Sequence, residues 1–159
     1  MFRVGVIGPE ATGKSSLSQY LAKRYGALCI PEYARDYVAN LGRAYTYEDI
    51  CIIARKQIEQ LSHPLAFAQQ VLTTDVVFYD TELIITKVWF DVVYHSVPQW
   101  LTEALLRYPM DCYLLTYPDL PWTPDPTREN GSDEVRQQLF LRYEQEIQAL
   151  DIPYYIIKH

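Results

Sequence analysis

Val4-Gly5-Val6-Ile7-Gly8-Pro9-Glu10-Ala11-Thr12-Gly13-Lys14-Ser15-Ser16 opens the chain, and its reading decides the fold. Val4, Val6 and Ile7 read as a short buried strand, stopped by Gly8-Pro9. Gly8 to Ser15 then match G-x-x-x-x-G-K-[ST] at every required position. Glycines let successive N–H groups point into one concavity, and the helix that follows adds the positive end of its dipole. Such a nest holds a polyphosphate. Its expected contacts are Gly8, Glu10, Ala11, Thr12, Gly13, Lys14, Ser15 and Ser16. Lys14 can reach the terminal phosphates and the Ser15 hydroxyl can ligate Mg²⁺, so the ligand implied is a nucleoside triphosphate with its metal. The bland alternative is a chance glycine-rich turn, which would not need a strand before it and a helix after it.

Working outward, a helix is expected from Gly13, with Leu17, Leu21 and Tyr25 on one face and Gly26 closing it. Ala27 to Ile30 is a second apolar run, ended by Pro31. Thr46 with Asp49 three residues on reads as a capping box, and Ile50, Ile53, Ala54, Ile58 and Leu61 follow at helical spacing up to Pro64. Val76 to Tyr79 is a third strand running into Asp80. Leu83 to Tyr94 is apolar and too long for one strand, hence a helix. Pro98 suits a first helical turn, with Leu101, Ala104, Leu105 and Tyr108 on one face. Cys112 to Leu115 is a fourth strand. Ser132 caps a last helix, with Asp133 and Glu134 in its first turn and Val135, Leu139, Tyr143, Ile147 and Leu150 as its face. Pro153 to Ile157 is a fifth strand. Strands alternating with helices imply an α/β fold: a five-stranded, mainly parallel sheet flanked by helices. One domain over 1–159 is expected, with a lid loop at about 117–132, where prolines and charges leave no periodicity.

Composition narrows the function. The chain has 159 residues, 49 % of them apolar and 21 % charged, which suits an ordinary globular domain. Its net charge is -6, and no run of Lys or Arg exceeds two residues, so neither nucleic acid nor a membrane surface is expected as a partner. No stretch approaches the roughly 20 apolar residues of a membrane span. Cys29, Cys51 and Cys112 form no C-x-x-C pair and read as core residues in a reducing compartment. The start of the chain does not read as a signal peptide. A cytoplasmic location is therefore expected.

In parallel sheets ligands lie beyond the carboxyl ends of the strands, so the residues just after each strand carry the chemistry. Asp80 stands at such a tip, placed to hold the metal's water shell or, more blandly, to open a turn. Glu82 is either an acidic base or a first-turn helix acid. Pro31-Glu32-Tyr33-Ala34-Arg35-Asp36-Tyr37 follows the second strand. There Glu32 can orient an acceptor hydroxyl and Arg35 can hold a charged group, against the plain reading of a surface cluster capping a helix. In the lid, Arg128 can neutralise a transferring phosphoryl group, with Asp125 nearby. Trp89 offers an aromatic face a few residues beyond Asp80. His63, His95 and His159 have no metal-ligand spacing.

Taken together, GPEATGKSS, PEYARDY, IARKQIEQ, FYDTELIITKVW and YPDLPWTPDPTRENG resemble the ribosylnicotinamide kinase domain of NadR-type proteins, within the P-loop kinase-like AAA ATPases. The resemblance runs over nearly the whole chain and implies a P-loop NTPase fold. It implies ATP and Mg²⁺, with phosphate transferred to the 5′-hydroxyl of nicotinamide riboside to give nicotinamide mononucleotide. Two stretches depart from the family pattern. Asp80-Thr81-Glu82-Leu83-Ile84-Ile85-Thr86 stands where DTDxxTT is usual, and Pro126-Thr127 replace a glycine between Asp125 and Arg128. An HxGH adenylyltransferase signature and a DNA-binding segment are absent, so a kinase-like domain alone is expected.

The expected assignments are then as follows. Lys14, Asp80, Arg128 and Glu32 are catalytic. Ser15 and Asp80 hold the metal. Glu32, Tyr33, Arg35, Asp80, Trp89 and Asp125 face a nucleoside-sized acceptor. The competing reading is a regulatory P-loop ATPase whose nucleotide state acts through a protein partner. The sequence leaves oligomeric state open, as it does the choice between Glu32 and Asp80 as the group orienting the acceptor.

Overall fold

Every strand pairing in the computed structural model, which describes residues 1–67, 74–119 and 132–159, is parallel, so each strand leads into a crossover. The strands lie in the order β2-β3-β1-β4-β5. β1 (Phe2–Ile7) is central, between β3 (Val76–Asp80) and β4 (Cys112–Thr116), with β2 (Leu28–Ile30) and β5 (Tyr154–Ile157) at the edges. Val6 pairs with Asp80 on one side and Leu114 on the other. The carboxyl ends of the three middle strands thus sit together where the phosphate loop departs. The sheet expected to be mainly parallel is wholly so, because every connection between described strands carries a helix.

Both faces of the sheet are covered, which explains the unbroken apolar runs of its strands. Val4, Val6 and Phe78 pack with Ala22 and Ala27 on the face covered by α1 (Lys14–Tyr25). Ile7, Tyr79 and Leu115 face the larger core. That core is built with α3 (Tyr47–Ser62), α4 (Leu83–Tyr94), α5 (Gln99–Arg107) and α6 (Asp133–Leu150). The Thr46–Asp49 capping box forms, α4 spans the residues expected of it, and the Ser132 hydroxyl accepts from the Val135 amide at the start of α6. Pro64 ends α3, and Pro64–Phe67 makes one 3₁₀ turn.

Three local expectations are corrected. α1 buries Ser18 and Ala22, while Leu17 and Leu21 are half-buried and Tyr25 is exposed, since small side chains let the helix approach the sheet closely. α6 buries Phe140 and Arg136 beside Tyr143 and Ile147, with Val135, Leu139 and Leu150 only half-buried. A two-turn helix, α2 (Tyr33–Ala39), follows β2 where no periodic signal marked one. The cysteines are all free, and only Cys51 is fully buried. Among the described residues no helix is long and apolar enough to cross a membrane.

Candidate active site

The phosphate loop takes its shape from two glycines and two buried hydroxyls. Gly13 sits in the left-handed region at φ 82°, which an L side chain rarely adopts. At Gly8 a Cβ would overlap the Thr116 hydroxyl and stand 2.7 Å from the Thr116 carbonyl oxygen, so β4 passes too close for any side chain. The Thr12 hydroxyl donates to the Pro9 carbonyl at 2.7 Å and lies 2.6 Å from the Thr116 hydroxyl. Arg136, only 2 % exposed, reaches under the loop to the Glu10 carbonyl at 3.4 Å and pairs with Asp133 at 2.9 Å. The loop is therefore fixed from beneath by β4 and α6.

Lys14 donates to the Pro9 carbonyl at 2.9 Å, and the Ser15 hydroxyl donates to Asp80 Oδ2 at 2.6 Å. Asp80 Oδ1 is buried and has no hydrogen-bond partner among the described residues. A serine hydroxyl and a carboxylate oxygen with an open valence are hard oxygen donors, and Mg²⁺ takes few protein ligands because it keeps most of its water. No group of three or more metal-ligating side chains occurs among the described residues. The donor set thus fits Mg²⁺ held by Ser15, Asp80 and phosphate oxygens.

Burial pushes the Asp80 carboxyl above its ordinary range, opposed by the Ser15 hydrogen bond and the Lys14 charge. Burial raises Glu32 as well; Lys14 works against this and the negative charge of Asp80 adds to it. The two carboxylates share one field, in which Lys14 acts on both more strongly than Arg35 does.

Lys14, Ser15 and Glu32 line a cavity of about 310 Å³, while Asp80, expected to face the acceptor, is buried behind Ser15 and is not on its wall. Gly8 and Glu10 to Ser16 close one end. Glu32, the N-cap of α2, enters with Arg35 and Val38 of that helix, Thr81 and Trp89 from β3–α4, and Tyr143 from α6. Trp89 is set by Tyr45, whose ring meets it edge-on with centroids 5.0 Å apart. Asp49 organises the same loop: it takes two hydrogen bonds from Arg43, at 2.7 and 3.0 Å, and one from the Tyr37 hydroxyl at 2.8 Å. Those bonds, Arg43 first, hold its carboxyl well below the usual range.

Of the residues expected from sequence, the structure brings Lys14, Ser15, Asp80 and Glu32 together and places Arg35 and Trp89 on the same cavity. Tyr33 is not on the cavity wall; its ring packs 5.9 Å from Tyr37 with the Lys56 ammonium 5.8 Å away. Glu82 is a buried cap of α4, accepting from the Ile84 amide at 2.9 Å and bonded to the Tyr113 hydroxyl; burial pushes it up to about 7. Asp125 and Arg128, with the lid over 120–131, lie outside the described residues. Sequence reasoning gave no role to Thr116, Arg136, Thr81, Val38 or Tyr143. Thr116, at the end of the fourth strand, and Thr81, beside Asp80, had a positional clue.

A parallel sheet with a phosphate loop between its central strand and first helix, and an acid at the tip of the next strand, defines a P-loop nucleotide-binding domain. Residues 3–159 match the AAA_28 family of AAA domains, and the chain belongs to that family. It is 30 % identical over 140 residues to the trifunctional NAD biosynthesis/regulator protein NadR of Escherichia coli K12, covering 85 % of this chain and 33 % of that protein. The chain thus spans about a third of the length of the curated relatives it matches. The crystal structure of a NadR protein in complex with NR superposes with a TM-score of 0.71 at 22 % identity, over 98 % of this chain and 43 % of that one. Deoxyadenosine kinase from M. mycoides superposes with a TM-score of 0.59 at 15 % identity, over 98 % and 90 %. The fold is that of P-loop kinases, and the resemblance to NadR-type proteins holds.

Proposed function

We propose that this chain is an ATP-dependent small-molecule kinase of the nucleoside class, and that its acceptor is the 5′-hydroxyl of nicotinamide riboside. One observation carries the reading: the phosphate loop, whose Ser15 is bonded to Asp80, lines the same cavity as Glu32, Arg35 and Trp89. A nucleotide switch needs the loop but not a cavity running on from it. The similarity to NadR supports the particular acceptor.

In this reading the loop N–H groups and Lys14 hold the β- and γ-phosphates, and Arg128 from the lid adds positive charge to the transferring group. Mg²⁺ bound at Ser15 and Asp80 supplies charge neutralisation at the phosphate oxygens. Asp80 spends Oδ2 on Ser15, so Glu32 is the carboxylate left to take the acceptor proton. Its raised pKa makes it a better proton acceptor than a free glutamate while leaving it ionised at sufficiently high pH. Arg35 donates to the sugar, and Asp125 meets it from the lid. The Trp89 face attracts the flat, cationic pyridinium ring by cation–π contact, worth about 0.5–2 kcal/mol. Tyr33 is left out of the acceptor site.

The test is coupled ADP release with nicotinamide riboside, its uncharged reduced form, uridine and thymidine. The charged riboside is expected to give the highest kcat/KM. Equal rates with all four would end the cation-selective reading. ATP hydrolysis with no acceptor phosphorylated would replace the kinase by a regulatory ATPase.

A further inference from the structure

Tyr143 carries a hydroxyl that the fold does not use. The residue lies on the buried face of α6 between Phe140 and Ile147, one turn from each, and is only 5 % exposed, yet it lines the cavity. Its hydroxyl makes no hydrogen bond among the described residues and, unlike Asp80 Oδ1, is not sealed off. Buried tyrosines elsewhere in the core do find partners: Tyr79 donates to the Gln60 carbonyl at 3.2 Å and Tyr113 to Glu82. Tyr143 is also held in place. Lys87 pairs with Glu146 at 2.7 Å and Arg142 with Asp91 at 2.8 Å, which ties α6 to α4 on either side of it.

Two carboxylates act on this phenol. Glu10 of the phosphate loop and Glu32 at the start of α2 line the same cavity, and burial together with these two charges holds the phenol well above its ordinary range. It is therefore an O–H donor throughout the working pH range, and neither carboxylate takes its hydrogen bond. The group that fits among the three accepts from a phenol and donates to a carboxylate. A phosphate oxygen can only accept, and two carboxylates repel it. An alcohol does both. The alcohol being phosphorylated is a poor match, because a donor on the attacking oxygen draws off the electron density that forms the new bond. A secondary hydroxyl of the acceptor's sugar meets both requirements.

We propose that the Tyr143 hydroxyl donates to a secondary hydroxyl of the acceptor's sugar, whose own O–H donates to the carboxylate beside it, so that the site selects ribosides over their deoxy counterparts. This rests on the kinase reading above and adds a specificity-determining residue to it. The contact is made in the bound acceptor, so its loss appears in the acceptor KM and in kcat/KM, while the KM for ATP is untouched.

Tyr143→Phe deletes only the phenol oxygen, and 2′-deoxy and 3′-deoxy nicotinamide riboside each delete one sugar hydroxyl. In coupled ADP release, the wild type is expected to give a kcat/KM roughly 10- to 100-fold lower for one of the two deoxy acceptors than for the intact riboside. Tyr143→Phe should lose about as much on the intact riboside and little more on that deoxy acceptor, with ATP KM within twofold. It should melt no lower than wild type, because the deleted oxygen bonds to nothing in the protein. Uridine and its two deoxy forms complete the same cycle if the wild type phosphorylates uridine instead. The contact is overturned if Tyr143→Phe keeps wild-type kcat/KM, or if the wild type treats both deoxy acceptors like the intact riboside. It is overturned equally if the losses from residue and substrate simply multiply, or if ATP affinity and melting temperature fall together. A wild-type enzyme that phosphorylates none of these nucleosides overturns the kinase reading itself, and this shows before any variant is made.

Discussion

Gly8 to Ser16 form the phosphate end of the cavity as one unbroken stretch, whereas the acceptor end is gathered from α2, α4 and α6, residues far apart in the chain. The first is held by backbone and by buried hydroxyls: Gly8 against Thr116, Thr12 on Pro9, Arg136 on Glu10. The second is walled by residues such as Val38, Trp89 and Tyr143, together with the charged Glu32 and Arg35. Phosphate is the same group on every nucleotide, so main-chain N–H groups and one lysine suffice to bind it. An acceptor is recognised by its shape, and a matching shape needs side chains from several elements.

The contrast can be broken most sharply at Lys14. Lys14→Ala should cut turnover by on the order of 10³-fold and weaken ATP binding, with a melting temperature within about 3 °C of wild type. Coupled ADP release with ATP calorimetry and a thermal melt decide it. Unchanged affinity and rate would remove the phosphate end from the mechanism.

Asp80→Asn keeps size and an acceptor for Ser15 but removes the charge. The expected loss in kcat is about 10²–10³-fold, with a higher Mg²⁺ concentration needed for half-maximal rate and a smaller change in ATP KM. A Mg²⁺ titration at saturating ATP checks this. Near-normal kcat would leave Asp80 with a purely structural role.

Glu82, the buried cap of α4 beside the cavity rather than on it, is read through stability. Its folded pKa, about 7, lies above the ordinary 4.5, so the native state binds the proton more tightly than the unfolded chain. The stabilisation is fully present below pH 4.5 and lost as pH rises through 7, at most about 3 kcal/mol. Glu82→Gln keeps the cap and cannot ionise. Melting curves of wild type should therefore fall relative to the variant between those pH values, and parallel curves would contradict the burial argument.

The smallest effect belongs to Trp89. Trp89→Ala should raise the KM for nicotinamide riboside about 2- to 30-fold, leave that for ATP unchanged, and erase the preference over the uncharged reduced riboside. A preference that survives the substitution would place cation selectivity elsewhere.

What could be read from the sequence follows the same division. The phosphate loop, the Thr46–Asp49 box and the bounds of α4 depend on neighbours in the chain, and all three appear as read. The buried face of α1 was misjudged because hydrophobicity favours Leu17, Leu21 and Tyr25, while close packing on the sheet favours Ser18 and Ala22. Arg136 in the interior breaks every composition rule, and its carbonyl partner on the phosphate loop is distant in sequence. Tyr33 reads as an acceptor contact because it neighbours Glu32 in the chain, and no periodicity marks α2. On that helix Arg35 and Val38 line the cavity, while Tyr33 and Tyr37, four residues apart, meet as a tilted pair away from it. No local pattern announces the left-handed φ of Thr81.

Of the three tryptophans, Trp89 alone is placed on the cavity wall, while Trp100 packs 5.1 Å from the Arg55 guanidinium away from it and Trp122 falls outside the described residues. Trp89, held edge-on by Tyr45, is therefore a built-in optical gauge. A ring settling on its face would quench its emission directly, so occupancy of the acceptor end can be followed by fluorescence without ATP, turnover or an attached dye. A Trp100→Phe, Trp122→Phe background would leave that single indole as the reporter.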